Sequence, residues 1–167
     1  MKKLMILLLT LVLLLSACAQ SGTVPTQPSE EAYPMTLTDM AGRSVTLNAK
    51  PEKLVSGYYI STSALIALGL EDSLVGVEAK ADKRAIYRLS APQLVDLPSV
   101  GTAKEFDLEG CIALQPDLVI LPLKLKEAAA KLEELGIPAL LVNPESRQQL
   151  SQMITLLTAA TGCPDRG

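Results

Sequence analysis

Asp107-Leu108-Glu109-Gly110-Cys111-Ile112-Ala113-Leu114-Gln115-Pro116-Asp117-Leu118-Val119-Ile120 is the stretch on which the fold turns. Asp107 reads as a helix N-cap, because its carboxylate can accept from the orphan N–H groups of the first turn. Behind it Leu108, Cys111 and Ile112 fall on one helical face, so Cys111 is expected to be a buried small hydrophobe. Gly110 occupies the first turn at a cost of about 1 kcal/mol. Pro116 fixes the turn out of the helix, and Asp117 is expected to bond its own backbone there. Leu118-Val119-Ile120 follows as an unbroken apolar run, the kind buried on both faces of a parallel sheet. Helix, turn and doubly buried strand make half of a βαβ unit.

The same unit recurs on both sides. Short apolar runs begin near Leu54, Leu74, Ser99, Leu118 and Ala139, spaced by roughly 20 residues, with helical patterns in most gaps. Leu125, Ala128, Leu132 and Leu135 form one stripe, closed by Gly136 at a C-cap position and by Pro138. Ser146 and Gln149 fit a capping box, after which Leu150, Met153, Ile154 and Leu157 share a face. Gly69 suits a left-handed helix end, and Gly101 a strand exit that a β-branched residue would resist. The expected fold class is α/β: a single Rossmann-like lobe with a parallel five-stranded sheet, flanked by helices and joined by right-handed crossovers. Ahead of it Met35–Thr38 and Ser44–Leu47 alternate about Gly42, which predicts a small β-hairpin.

The amino terminus is of another kind. Lys2 and Lys3 precede an apolar run from Leu4 to Leu15, which at about 12 residues is too short to span a bilayer and reads as a secretory signal. It closes in Leu15-Ser16-Ala17-Cys18, a match to the bacterial lipobox. Residues 1–17 are therefore read as a lipoprotein signal peptide and Cys18 as the lipidated first residue, since several acyl chains anchor stably where one binds marginally. Residues 18–32 are Ser-, Thr-, Gln- and Pro-rich and read as a disordered tether; residues 33–162 are the lobe. The expected location is extracytoplasmic, lipid-anchored to the cell membrane.

A formal net charge of −3 gives no sign of a nucleic-acid binder, which needs a dominant basic face. There is no histidine and no close pair among the cysteines, so no metal site or cofactor is expected. One disulfide between Cys111 and Cys163 stays open. The glycine-rich phosphate motifs and the Gly-x-Ser-x-Gly elbow are absent, and without a histidine base the chain is not expected to be an enzyme.

Four segments then resemble one family, the solute-binding proteins of ATP-binding-cassette importers for iron–siderophores, haem and corrinoids. Thr38-Asp39-Met40-Ala41-Gly42-Arg43 with Lys50-Pro51-Glu52-Lys53-Leu54-Val55 is similar to that family's amino-terminal hairpin and Pro-x-Arg-Val lead, with Lys53 in place of the usual Arg. Ser61 to Leu70 with Leu74-Val75-Gly76-Val77 is the second segment. Leu97-Pro98-Ser99-Val100-Gly101 with Asp107-Leu108-Glu109 and Ala113-Leu114-Gln115-Pro116-Asp117-Leu118-Val119-Ile120 is the third and most specific, with Gly110 a departure from it. Lys131-Leu132-Glu133-Glu134-Leu135-Gly136-Ile137-Pro138 is the fourth. The resemblance implies a periplasmic-binding-protein amino-terminal lobe, with residues 163–167 as the truncated start of the segment leading to a second lobe. It also implies an importer permease as partner, docked through an acidic residue near the start of the helix after the fourth strand, where Glu127 lies.

Ligands of open α/β sheets sit beyond the carboxyl ends of the strands. Those positions hold Tyr58, Tyr59, Ser61 and Thr62 after the first strand, and Lys80, Lys83, Arg84 and Tyr87 after the second. Thr102 and Lys104 follow the third strand, Lys124 and Lys126 the fourth, and Asn143 the fifth. Tyr58, Tyr59, Ser61, Thr62, Lys80, Arg84, Lys104 and Lys124 are the ligand-binding candidates. Basic and hydroxylic loops with two tyrosines suit a large anionic metal chelate, through cationic donors and apolar ring faces. Only one of Tyr58 and Tyr59 is expected to point into the lobe, Tyr87 is a core candidate, and a haem would take its axial ligand from Tyr58 or Tyr59. The expectation is a membrane-anchored binding protein that captures a ferric siderophore, haem or corrinoid; the alternative is a remnant lobe that folds but does not bind.

Overall fold

The computed structural model describes residues 33–163. The expected signal peptide, the Cys18 lipidation site, the tether and residues 164–167 lie outside the described residues. No helix among the described residues is long and apolar enough to cross a membrane.

The hairpin forms as its alternation predicts. β1 (Met35–Thr38) pairs antiparallel with β2 (Ser44–Leu47), Met35 opposite Leu47 and Thr38 opposite Ser44. Val45 and Leu47 turn into the core, while Thr36 and Thr46 face out with their hydroxyls 3.1 Å apart. The apolar runs become β3 (Leu54–Ser56), β4 (Leu74–Val77), β5 (Leu118–Pro122) and β6 (Ala139–Val142), a parallel sheet in the order β4-β3-β5-β6.

The sheet has four strands where five were expected. The run at Ser99 makes one parallel bridge, to Val77, and goes no further. Pro98 has no N–H to donate, and Gly101, at φ +83, turns the chain into an antiparallel bridge with Phe106. A Cβ on Gly101 would stand 2.1 Å from the Glu105 carbonyl oxygen, so the turn excludes any larger residue.

Alternation along the strands divides the core between the two faces of the sheet. Leu54, Leu118, Ile120, Leu140 and Val142 pack with the hairpin, α1 (Tyr59–Ala67), α2 (Ala85–Ser90) and α5 (Arg147–Thr161). Val55, Val119, Leu121, Ala139 and Leu141 pack with α3 (Leu108–Ala113) and α4 (Lys126–Glu134). Cys111 is fully buried on the second face, and burial, then the Asp107 charge, push its thiol up to about 11. Cys111 and Cys163 are both free thiols.

The helix reading needs one adjustment. In α4 the buried residues are Ala129 and Leu132, whereas Leu135 lies past the helix end and is 60% exposed. The caps are where the sequence puts them: Asp107 accepts from Gly110 N at 2.8 Å, and Ser146 from Gln149 N at 3.2 Å. The Asp107 cap also explains Gly110. A Cβ there would come within 2.2 Å of Asp107 Oδ2, so the cap and the missing side chain are one device.

Two aspartates tie the hairpin and the strands together. β6 is an edge strand, and an open edge invites wrong pairing. The hairpin turn covers it: Met40 N donates to the Leu141 carbonyl at 3.0 Å, and Leu141 N to Asp39 Oδ2 at 3.1 Å. Arg43 Nη2 donates to the Ala139 carbonyl at 2.7 Å. Asp117 does not bond its own backbone as expected. Its Oδ2 accepts from Glu52 N at 3.0 Å and Lys53 N at 2.8 Å, holding the lead into β3 against the start of β5.

Candidate functional site

Because β3 and β4 are paired, the loops leaving their carboxyl ends lie together. Gly57 carries the chain away from β3 where there is no room for a side chain; a Cβ would stand 2.7 Å from Leu121 Cδ2 and 3.5 Å from the Phe106 ring. Tyr58 then sits at the N-cap of α1 in an extended conformation and Tyr59 opens the helix. On the other strand Glu78 follows Val77 directly and is only 5% exposed.

A buried carboxylate without partners costs several kcal/mol, so its donors define the site. Glu78 Oε2 accepts from Thr62 Oγ1 at 2.7 Å. Its Oε1 accepts from the Tyr87 hydroxyl at 2.7 Å and from Arg84 Nε at 2.8 Å. Behind Thr62, Ser56 Oγ lies 2.8 Å from Thr62 Oγ1 and 2.8 Å from Ser61 Oγ. Burial, then the bond to Glu78 and its charge, hold the Tyr87 phenol above its ordinary 10.0. Tyr87 therefore serves this network as a donor, to Glu78 Oε1.

Arg84 is the member that reaches the surface. Its guanidinium carbon is 4.4 Å from the centroid of the Tyr59 ring and 5.9 Å from that of Tyr87, within the range of cation–π attraction. Tyr58 meets Tyr59 edge-on, centroids 5.3 Å apart at 75°. Arg84 side-chain exposure is 31%, and Tyr59 is 44% exposed. Only Nε of Arg84 is engaged by Glu78; Nη1 and Nη2 make no hydrogen bond to a described residue.

The candidate residues divide accordingly. Tyr58, Tyr59 and Arg84 come together at the surface. Ser61 and Thr62 are fully buried and their hydroxyls serve the network beneath, so neither presents surface to a ligand. The rule of strand alternation does not apply to the tyrosines, which lie on a helix N-terminus: Tyr58 is half-buried against the core and Tyr59 faces out. Burial, then Tyr59, then Glu145 raise the Tyr58 phenol, which disfavours the phenolate that would ligate a haem iron. Tyr87 is core.

Lys80 is exposed at the end of β4 in the left-handed region, φ 68. Lys83 pairs with Asp82 at 2.7 Å on the open surface. Lys104 is carried on an exposed turn whose Thr102 hydroxyl is used internally, accepting from Lys104 N and Glu105 N. Lys124, Lys126 and Glu127 are exposed around the start of α4, and Asn143 is half-buried after β6. A groove of about 440 Å³ between β1 and α5, lined by Gln148, Ser151, Gln152 and Thr155, shares no residue with the Glu78–Arg84 cluster.

Glu78 is the residue that sequence reasoning missed. A carboxylate closing an apolar run, six positions before an arginine, was its only signal. Phe106 was missed too; its ring against Gly57 has no sequence signature.

Comparison with known proteins places this geometry in a family. The family described as "Periplasmic binding protein" matches residues 54–167. An uncharacterized ABC transporter substrate-binding lipoprotein of Bacillus subtilis is 29% identical over 137 residues, 79% of this chain and 41% of its own length. A cobalamin-binding protein of Halobacterium salinarum is 26% identical over 123 residues, 69% of this chain and 32% of its own. Among solved structures, a periplasmic solute binding protein from Veillonella parvula superposes with TM-score 0.72 at 28% identity, over 79% of this chain and 42% of its own. A periplasmic heme binding protein from Pseudomonas aeruginosa gives 0.58 at 28% identity, over 70% and 40%. The chain thus spans less than half the length of each of these relatives. With the match covering every strand of the parallel sheet, the chain belongs to the periplasmic binding protein family.

Proposed function

We propose that this chain is the capture lobe of a solute-binding lipoprotein, anchored through lipid on Cys18, that presents a bulky anionic metal chelate to an ABC importer and performs no chemistry on it. The observation that carries this reading is Arg84, held by a buried carboxylate and a tyrosine ring at the carboxyl end of the sheet, its terminal nitrogens making no hydrogen bond among the described residues. In an open α/β sheet this is the place where a ligand sits. An exposed aromatic face beside a fixed cation suits an anion with an apolar body. Lys80, Lys104 and Lys124 are exposed on the loops that leave this end of the sheet and add positive potential to it. Glu127, in the first turn of α4, is the residue we assign to permease docking. Ferric siderophores, haem and corrinoids are the ligand classes in view, as the names of the relatives include cobalamin- and heme-binding proteins.

The test is tyrosine-fluorescence quenching of the purified full-length chain by haem, cyanocobalamin, ferrichrome and ferric citrate. Saturable quenching by one of them, weakened at least about tenfold by Tyr59→Ala, is the expected result. No saturable change with any of the four sinks the reading for this chain.

A further inference from the structure

We infer that Glu78 is a positioning residue that makes Arg84 a preformed two-donor fork, and that the ligand of this site offers it a carboxylate. The inference rests on the capture reading above and narrows it to one ligand chemistry.

A guanidinium is planar and carries its donors in a rigid fork. Two contacts are enough to orient such a group. The Tyr59 ring, its centroid 4.4 Å from the guanidinium carbon, packs against the group. The bond from Nε to Glu78 Oε1, 2.8 Å, sets the direction in which the fork points. Glu78 is itself held in place, since Thr62 Oγ1 and the Tyr87 hydroxyl each donate to it at 2.7 Å and it is 5% exposed. What remains is the end of the fork, Nη1 and Nη2, on a side chain that is 31% exposed. Parallel N–H groups at that spacing match the two oxygens of one carboxylate.

Arg43 supplies the control within the same molecule. All three of its guanidinium nitrogens are used, by Asp39, Glu133 and the Ala139 carbonyl. An arginine that serves only the fold is consumed by it; Arg84 is not. Preorganisation of this kind raises affinity by lowering the ordering cost of binding, and it favours chelates that carry free or peripheral carboxylates.

The test compares carboxylate-bearing probes, ferric citrate and haem, with carboxylate-free ones, ferrichrome and cyanocobalamin, on the full-length chain. Wild type, Glu78→Gln, Arg84→Lys and the double variant are titrated, with thermal melting of each as the control for folding. At least one carboxylate-bearing probe is expected to bind wild type about tenfold or more tighter than either carboxylate-free one. Glu78→Gln should weaken that probe about tenfold, yet add little in the Arg84→Lys background, since Lys keeps the charge and loses the fork. Tighter binding of a carboxylate-free probe, or a Glu78→Gln loss that is equal in both backgrounds, overturns the inference and leaves the capture reading standing. Absence of wild-type binding to all four probes removes the capture reading and this inference with it.

Discussion

Two buried carboxylates each hold an arginine in this lobe, and they hold them differently. At the edge of β6, Asp39 accepts five bonds, from Ala41 N, Arg43 N, Arg43 Nε, Arg43 Nη2 and Leu141 N. Its arginine goes on to Glu133 and the Ala139 carbonyl, so the guanidinium is spent on joining hairpin, strand and helix. At the carboxyl end of β4, Glu78 takes one bond from Arg84 and gathers the rest of its donors from Tyr87 and Thr62. The first cluster is closed and the second has an open end. A saturated arginine stabilises a fold; one with two nitrogens left over is equipped to bind something else.

The contrast can be broken most directly at Asp39. Asp39→Ala strands Arg43 and uncaps the β6 edge, and should cost roughly 3–5 kcal/mol in urea unfolding, with no effect on ligand selectivity beyond loss of folded protein. A cost under about 1 kcal/mol would show that the hairpin turn is not a clasp. Tyr87→Phe removes one donor from Glu78 and should cost about 1–3 kcal/mol. Its pH signature is also specific. The phenol is held above 10.0 in the folded state, so its contribution is whole below the unfolded value and is lost as pH rises beyond it. Alkaline unfolding of wild type should therefore steepen above that pH, and the Phe variant should show a flatter profile.

Gly110→Ala tests the smaller device at Asp107. Helix propensity alone predicts a gain of about 1 kcal/mol; the collision with the capping carboxylate predicts a loss of about 1 kcal/mol instead. The sign of the change in melting temperature decides between them. Arg84→Gln should move stability least, by about 1 kcal/mol or less beside the binding loss it causes, because Thr62 and Tyr87 still satisfy Glu78. A stability loss as large as that of Asp39→Ala would erase the distinction between the clusters. Alkylation completes the set: Cys163, half-exposed, should react with iodoacetamide in the folded protein, and Cys111, its thiol pushed up to about 11, only on unfolding.

Local features were legible in the sequence because their physics is local. The caps at Asp107 and Ser146, the hairpin about Gly42 and the strand exit at Gly101 each depend on residues a few positions apart. The alternation of short apolar runs with helical stripes likewise reports burial directly, and the four segments that marked the family are packing and turn signals of this kind. Errors arose where a residue's partner was distant in the chain. Asp117 was read as bonding itself and instead holds Glu52 and Lys53. Ser61 and Thr62, ligand-binding candidates by their place after the first strand, are fully buried, Thr62 bonded to Glu78 and Ser61 to Ser56. The fifth strand is expected from the spacing of the apolar runs, yet sheet membership is decided by a neighbour's hydrogen bonds, and Pro98 and Gly101 leave Ser99 only one bridge.

The sequence by itself determined the class of fold, the family, and the end of the sheet at which a ligand would be sought. Each follows from periodicities and motifs that operate within one turn or one strand. Only the tertiary structure decided which arginine is free. Arg43 and Arg84 are alike in sequence, each near an acidic residue, and nothing local separates them. What separates them is whether a third element comes close enough to take the remaining nitrogens. For Arg43, α4 and β6 do; for Arg84, among the described residues, none does.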